Sequence, residues 1–231
     1  MANFVLVHGA WGGSAGYNAV AKLLRSAGHD VFAPSLTGLG DRAHLLHPGI
    51  DLSLHIKDIA TVIDYEGLKE FVLVGHSYGG MVITGVSTIY GARIKSLVYL
   101  DAFLPDDGQG LFDLQPKEGR ENFINMQRET PGLVPPRFAQ NNSAVPRALG
   151  SHPLLTLMEP VKLTGEEKKI RSKTYVLANG GQGPAGFQRF YDKVKALNDS
   201  SWRLLTMPTG HGIQMEDPKG TAKLLLEELE R

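Results

Sequence analysis

The chain has 231 residues, enough for one medium-sized domain with a substantial hydrophobic core. Basic and acidic residues number 24 each, so no overall charge favours nucleic acid or an anionic membrane as a partner. Cysteine is absent, which excludes disulfides, a thiolate nucleophile and cysteine-ligated metal.

The first residues carry no basic leader, and no apolar run reaches the roughly 18 residues of a membrane span. We therefore expect a cytoplasmic protein, with residues 1–231 forming a single domain. No internal repeat or cofactor-binding motif is present, so we expect neither cofactor nor metal. A homodimer is compatible with the sequence.

Residues 4–7 form the first predicted strand, and a glycine-rich turn follows at 8–13. Such a turn can cradle a phosphate or supply an oxyanion-binding N–H. The phosphate interpretation lacks a G-x-G-x-x-G pattern and a Walker lysine, so the backbone N–H of Ala10 is the candidate oxyanion donor. His8 ends a buried strand, and we interpret it as a packing and hydrogen-bonding residue.

Helical spacing follows at 14–27, then a short strand at 31–34 and a second helix at 51–65. Gly28 ends the first of these helices. Three histidines lie close together between the short strand and the end of the second helix, at His44, His47 and His55. Their spacing does not suit a metal site, and we expect them to be exposed to solvent.

The most informative motif lies at residues 71–90. A β-branched apolar run at 71–74 predicts a buried strand, the next residues read Gly-His-Ser-Tyr-Gly, and helical spacing continues to Tyr90. In a strand–turn–helix context, the G-x-S-x-G pattern holds a serine hydroxyl clear of the sheet. The sequence thus predicts Ser77 as a nucleophile and the Tyr78 N–H as a second oxyanion donor.

A strand at 94–100 leads into Asp101, after which the alternation of strands and helices breaks down. The proline-rich stretch 105–169 predicts a cap of short helices inserted into a core formed by 1–104 and 170–231. Apolar residues of the cap either line a substrate pocket or only hold the cap together. The predicted substrate contacts are Trp11, Phe103, Phe112 and Phe138.

The strand pattern resumes at 173–178 and 202–207. A helix is predicted at 184–196, with Pro184 in its first turn, and Asp217 caps a terminal helix. Alternating strands and helices predict an α/β fold with a mostly parallel, doubly wound sheet of about six strands. Active groups of such a sheet lie at the carboxyl ends of the strands.

A serine hydroxyl needs a base, and His211 is the candidate. It follows the last strand, between Gly210 and Gly212, and its position late in the chain fits the hydrolase order of nucleophile first and histidine last.

The acid that orients this histidine is not found at its usual place in the sequence. The loop after the strand 173–178 contains no carboxylate, and Asp192 lies well inside the following helix. Asp101, at the end of the strand beside the nucleophile strand, can reach the far nitrogen of His211. Asp106 and Asp107 are the alternatives, but they lie farther into the loop and we expect them to be solvated.

These motifs resemble those of small bacterial carboxylesterase-like α/β-hydrolases, which are related to plant methyl-ester esterases and hydroxynitrile lyases. The segments that carry the resemblance are residues 8–11, 34–39, 75–81, 99–108 and 208–211. The resemblance implies an α/β-hydrolase fold, a Ser-His-acid triad and an oxyanion hole, which map onto Ser77, His211, Ala10 and Tyr78.

Two departures bear on function. Plant members place the acid after the penultimate strand, whereas some haloalkane dehalogenases use the earlier strand end that Asp101 occupies. The lyase branch carries a threonine and a lysine where this chain has Gly9 and Gly212, which favours hydrolysis. We therefore predict a serine esterase for a small-to-medium apolar ester. A carbamate or amide hydrolase, or a receptor-like protein with little turnover, is the alternative.

Overall fold

The computed structural model describes residues 1–136, 150–181 and 186–231. Six strands form the sheet at the centre of the molecule: β1 (Asn3–Val7), β2 (Asp30–Phe32), β3 (Phe71–His76), β4 (Ile94–Leu100), β7 (Lys173–Ala178) and β8 (Trp202–Met207). Their order in the sheet is β2-β1-β3-β4-β7-β8. Two further short strands, β5 (Leu133–Val134) and β6 (His152–Pro153), form a separate antiparallel pair.

Eight α-helices connect or cover these strands in the described residues. They are α1 (Asn18–Ser26), α2 (Leu52–Tyr65), α3 (Gly79–Tyr90), α4 (Lys117–Met126), α5 (Leu155–Met158), α6 (Gln188–Leu197), α7 (Ile213–Glu216) and α8 (Pro218–Glu227). Asp51 caps α2 by accepting from the Leu54 N–H, and Asp217 caps α8, as predicted, by accepting from the Gly220 N–H.

Every strand pairing described in the large sheet is parallel, which confirms the predicted architecture. The chain runs from β1 outward to β2 and then returns past β1 to β3 and the remaining strands. Parallel pairing places the carboxyl ends of all six strands along one edge. The residues that follow β1, β3, β4 and β8 therefore meet at this edge, where sheets of this kind place their ligand sites.

Both faces of the sheet are buried. Along β1, Val5 and Val7 belong to one apolar cluster, whereas Phe4 and Leu6 belong to another on the opposite face. All four side chains are fully buried. Continuous apolar runs are expected of strands covered by helices on both sides, because successive side chains point to opposite faces.

The segment between β4 and β7, called the cap segment below (residues 105–169), contains α4, α5 and the β5–β6 pair. The prediction of a cap built from short helices missed this small antiparallel sheet. The strands are only two residues long, which is too short for a periodicity signal. The boundaries at 105 and 169 stay predictions.

Other differences from prediction lie at helix and strand ends. The predicted helix 14–27 is a 3₁₀ turn at Ser14–Tyr17 followed by α1. The predicted strand 31–34 is the shorter β2. Helix α6 begins at Gln188, so the prediction of a proline in its first turn is wrong, and Pro184 itself lies outside the described residues.

The turn between β3 and α3 is packed so tightly that its glycines are required. A Cβ on Gly75 would lie 2.6 Å from the carbonyl oxygen of Gly79, and one on Gly79 would lie 2.6 Å from that of Val7. A Cβ on Gly80 would overlap the carbonyl oxygen of Phe103. These backbone contacts fix the Ser77 turn against both the β1 loop and the loop after β4.

No helix in the described ranges is long and apolar enough to cross a membrane. The cytoplasmic location and the homodimer stay predictions.

The Gly80→Ala substitution should destabilise the protein although alanine is the better helix former. The new methyl group would push on the Phe103 carbonyl, and overpacking of this kind costs about 1 to 3 kcal/mol. This cost outweighs the roughly 0.5 to 1 kcal/mol by which alanine stabilises a helix relative to glycine. Gly16→Ala is the matched control, because a Cβ there meets nothing within 4 Å. Urea unfolding of both variants measures the difference, and a Gly80→Ala variant as stable as the control would contradict the packing argument.

Candidate active site

Ser77 lies in the turn between β3 and α3 with a left-handed backbone, at φ 52°. Such a conformation is strained for any residue except glycine and persists only where the surroundings enforce it. Three backbone hydrogen bonds do so here. The Ser77 N–H donates to the carbonyl of Leu100 (3.3 Å), and the Ser77 carbonyl accepts from the N–H groups of Gly80 (3.0 Å) and Phe103 (3.1 Å). The serine is therefore held jointly by its own turn and by the loop after β4.

The Ser77 side chain is half-buried, and its hydroxyl makes no hydrogen bond to the described part of the chain. The backbone N–H groups of Tyr78 and Ala10 likewise donate to no other group among the described residues. A hydroxyl and two N–H groups thus remain available at this edge of the sheet.

The loop after β1 passes directly over the serine. A Cβ on Gly9 would lie 3.0 Å from both the Ser77 Cβ and the His76 Nδ1 atom. The Gly9 carbonyl accepts from the Nδ1–H of His8 (2.8 Å) and from the N–H of Gly12 (3.2 Å). Because the carbonyl and the N–H of a trans peptide point in opposite directions, these bonds also fix the direction of the Ala10 N–H.

His8 is the residue that fixes this peptide. It is 2% exposed, and its Nε2 atom accepts from the N–H of Leu36 at 3.0 Å. The ring therefore donates through Nδ1 and accepts through Nε2, which only the neutral form can do. Burial lowers the pKa of His8 to about 4, in agreement with that form. The prediction of a packing and hydrogen-bonding role is confirmed.

His211 and Asp101 meet across the end of β7. The Nδ1–H of His211 donates to the Oδ2 atom of Asp101 at 2.6 Å, and the Asp101 carboxylate is 3% exposed. Its other oxygen accepts from the N–H of Ala178, the last residue of β7, at 3.2 Å. Asp101 itself has a left-handed backbone, at φ 42°. With Nδ1–H donating, the neutral His211 ring keeps Nε2 as its acceptor nitrogen.

His76, the residue before Ser77, contacts His211 directly. Its Nε2–H donates to the His211 carbonyl at 2.7 Å, and the two ring centroids lie 4.7 Å apart. Burial, with a smaller contribution from His211, lowers the pKa of His76 to about 3. On another side, the ring of Phe187 stacks on the His211 imidazole with centroids 4.8 Å apart. Neither contact was predicted, although His76 stands inside the G-x-S-x-G motif.

The other candidate acids lie apart from this cluster. Asp106 is exposed and pairs with Lys193 at 2.8 Å, and Asp107 accepts from the Leu163 N–H at 2.8 Å. Asp192 is exposed on α6 and accepts from the Gln188 side chain.

The expectation that His55 is exposed is wrong, whereas His44 and His47 are exposed as predicted. His55 is fully buried, and its Nε2–H donates to the Thr37 carbonyl at 2.9 Å. Its Nδ1 atom lies 2.9 Å from the Tyr78 hydroxyl, which therefore donates to the neutral ring. His55 shares the buried face of α2 with Ile59 and Ile63, at a spacing of four residues, and this spacing was the signal that sequence reasoning missed.

The four predicted substrate contacts fall into three groups. Trp11 and Phe103 lie in the loops that touch the Ser77 turn, and Phe103 packs edge-to-face on Phe187 with ring centroids 5.0 Å apart. Phe112 is half-buried in the cap segment, and no hydrogen bond or ring contact joins it to Ser77 or His211 in the described ranges. Phe138 lies outside the described residues.

Four buried histidines give the protein a predictable pH dependence of stability. Burial lowers the pKa of each below its ordinary value of 6.5, to about 4 for His8 and about 3 for His76, with lowered values for His55 and His152. The unfolded chain therefore binds more protons than the native state below pH 6.5. The free energy of unfolding should therefore fall as the pH drops below 6.5, by up to about 1.4 kcal/mol per pH unit for each histidine.

The His55→Gln substitution isolates one of these contributions. The number of protons taken up on unfolding, measured from urea unfolding between about pH 5 and 6.5, should fall by up to about one. His44→Gln is the control, because this histidine is exposed to solvent. An equal proton uptake in the two variants would show that His55 is not held neutral.

The chain is similar to known proteins over nearly its whole length. Residues 4–224 match the alpha/beta hydrolase family. A carbendazim hydrolyzing esterase from Nocardioides sp. (strain SG-4G) is 38% identical over 246 residues, covering 97% of this chain and 98% of that protein. An alpha-hydroxynitrile lyase from Arabidopsis thaliana is also 38% identical, but over 105 residues, which cover 45% of this chain and 41% of the lyase.

Among solved structures, an extracellular alpha/beta-hydrolase from a Paenibacillus species superposes with a TM-score of 0.82 and 27% identity, covering 99% of both chains. That protein is described as sharing structural and functional homology with tobacco salicylic acid binding protein 2. The family match over nearly the full length agrees with the parallel sheet and the serine turn described above. The chain therefore belongs to the α/β-hydrolase family and is a hydrolase of the carboxylesterase type.

Proposed function

We propose that Ser77, His211 and Asp101 form a catalytic triad that hydrolyses carboxylic esters through an acyl-enzyme. The observation that carries this proposal is the 2.6 Å hydrogen bond between His211 and Asp101, formed where the His211 ring contacts the residue preceding Ser77. A nucleophile, a base and a buried carboxylate at one sheet edge are the groups that acyl transfer requires.

In the first half of the reaction, the Nε2 atom of His211 takes the Ser77 proton as the serine oxygen attacks the ester carbonyl carbon. The carbonyl oxygen becomes an oxyanion, which accepts hydrogen bonds from the Ala10 and Tyr78 N–H groups. The intermediate collapses, the imidazolium gives its proton to the leaving alcohol, and the acyl group stays on Ser77.

In the second half, His211 takes a proton from water, and the resulting hydroxide equivalent attacks the acyl carbon. A second oxyanion forms at the same two N–H groups, the bond to the serine oxygen breaks, and Ser77 recovers its proton from His211. Throughout, the buried Asp101 carboxylate fixes the His211 tautomer and stabilises the imidazolium through Nδ1–H.

The surroundings of His211 favour an apolar substrate of small to medium size. Phe187 stacks on the imidazole, and Phe103 packs against Phe187 beside the Ser77 turn. Apolar walls with a few directed polar groups are typical of pockets for such ligands.

Carbamate hydrolysis by the same groups is the second candidate function. It is favoured by the Nocardioides relative, which matches nearly the whole chain and is named for hydrolysing carbendazim, a methyl carbamate. Comparison of kcat/KM for carbendazim, a matched methyl ester and a matched anilide distinguishes carbamate, ester and amide preference.

The Ser77→Ala variant should lose turnover of p-nitrophenyl acetate, because alanine has no hydroxyl to attack the ester carbonyl. The wild-type protein should be labelled by a fluorophosphonate probe at Ser77, as mass spectrometry of the labelled peptide can verify, and the variant should not. Unchanged hydrolysis by Ser77→Ala would contradict the proposal. A wild-type protein that binds esters without turnover would instead favour the receptor-like alternative.

The Asp101→Asn variant should lower kcat by about 10² to 10⁴, the range that general-base catalysis contributes. Asparagine keeps the size of the side chain but removes the charge that stabilises the imidazolium, and it can leave His211 in the wrong tautomer. Asp106→Asn and Asp192→Asn are matched controls on exposed carboxylates and should retain near-full activity. Near-full activity in Asp101→Asn would show that another group orients His211.

A further inference from the structure

Trp11, in the loop after β1, contacts the cap segment through two N–H donors. Its indole Nε1–H donates to the carbonyl of Val134 at 2.7 Å, and its backbone N–H donates to the Nδ1 atom of His152 at 3.3 Å. Val134 and His152 are register partners in the β5–β6 pair. Both strands of this small sheet therefore hold the residue that directly follows Ala10.

Trp11 requires these two hydrogen bonds because its backbone is left-handed, at φ 58°. A bulky residue keeps this conformation only where its surroundings enforce it. The peptide before Ala10 is fixed from the core by His8 and Gly12, and the peptide after Ala10 is fixed from the cap by His152. The position of Ala10 thus depends on both sides of the molecule.

The other hydrogen bonds of His152 leave its Nδ1 atom free to accept from the Trp11 N–H. His152 is fully buried, and its Nε2–H donates to the Thr156 hydroxyl at 2.7 Å, which in turn donates to the Pro153 carbonyl at 2.7 Å. This chain of donors leaves Nδ1 as the acceptor of the neutral ring. Burial and the neighbouring His55 and His8 keep the pKa of His152 well below its ordinary value, which preserves the acceptor.

The same imidazole also packs against the other oxyanion residue. Its ring meets the Tyr78 ring edge-to-face with centroids 4.8 Å apart, and the Trp11 ring lies at 5.5 Å. One cap side chain therefore touches Tyr78 itself and Trp11, the residue after Ala10. Tyr78 and Ala10 are the two candidate oxyanion residues, and their backbone N–H groups donate to no group among the described residues.

We propose that His152 is a positioning residue for the oxyanion hole, holding the Trp11 peptide and the Tyr78 ring so that the cap segment completes the site. This inference rests on the proposed role of Ala10 and Tyr78 as oxyanion donors. No hydrogen bond or ring contact among the described residues joins His152 to Ser77 or His211. The contribution of His152 is made in the transition state, when the carbonyl oxygen gains charge, rather than in substrate binding.

His152→Ala should lower kcat about 10- to 100-fold, below the 10² to 10³ that loss of a whole oxyanion donor costs, with little change in KM. His152→Asn places an amide oxygen near the former Nδ1 position and should recover most of that loss. Met158→Ala, at an exposed position on α5 of the same segment, is the matched control and should keep wild-type kcat. Thermal unfolding of each variant checks that the comparison is made between folded proteins.

Inhibition by a trifluoromethyl ketone distinguishes damage to the oxyanion hole from a general loosening of the fold, which would weaken binding of other ligands as well. Attack by Ser77 on this ketone forms a bound oxyanion, so its inhibition constant should rise in His152→Ala by the same factor as kcat/KM falls. The inhibition constant of the product alcohol, which forms no oxyanion, should stay unchanged.

Trp11→Phe supplies a second variant if His152→Ala does not fold. It removes the indole bond to Val134 but keeps the backbone bond to His152, so kcat should fall by less than about 10-fold, the lower end of the loss expected of His152→Ala. A larger fall would show that the indole bond, rather than His152, positions Ala10. A folded His152→Ala with wild-type kcat, or with equal losses for the ketone and the alcohol, overturns the inference. In either case Ser77-dependent turnover of the wild-type protein tests the proposed function separately.

Discussion

Left-handed backbone at three strand ends is the constraint on which the site depends. Trp11, Ser77 and Asp101 follow β1, β3 and β4, which are neighbours in the sheet, and all three have φ between 42° and 58°. Each costs about 1 to 3 kcal/mol, so each needs neighbours that enforce it. Hydrogen bonds join the Ser77 turn to the loop after β4, where the Ser77 carbonyl accepts from the Phe103 N–H, and join Trp11 to the cap segment. Gly9, in the loop after β1, packs directly against Ser77. The proposed nucleophile, carboxylate and oxyanion loop are therefore positioned by segments that contact one another.

Much of the fold and part of the candidate site could be predicted from the sequence, because these features leave local signals. The strand–glycine–serine–glycine–helix pattern indicates the Ser77 turn. Asp101 and His211 both follow apolar runs that end at the same sheet edge. His152 leaves no such signal. It lies in a two-residue strand, and its partner Trp11 is 141 residues away, so only the folded chain brings them together. His55 was misjudged for a different reason: a polar residue on the buried face of α2 requires partners, and those partners, Thr37 and Tyr78, come from other elements.

Histidines dominate the buried polar groups around this edge, and the geometry assigns each a tautomer. His8, His76 and His152 each donate through one ring nitrogen, and the first and last accept an N–H through the other. A neutral imidazole supplies one donor and one acceptor in a rigid ring, which satisfies two buried backbone groups without burying a charge. The site thus obtains precise backbone orientation from side chains that stay uncharged near neutral pH.

The position of Asp101 directly after β4 has a consequence for the loop between β7 and α6. Because Asp101, the proposed acid, already binds His211, this loop needs no carboxylate of its own to hold the imidazole. That connection nevertheless ends at Phe187, whose ring covers the His211 imidazole. Substitution of Phe187 can therefore alter the apolar surface beside the His211 imidazole, while the Asp101 carboxylate that binds this ring stays anchored at the end of β4.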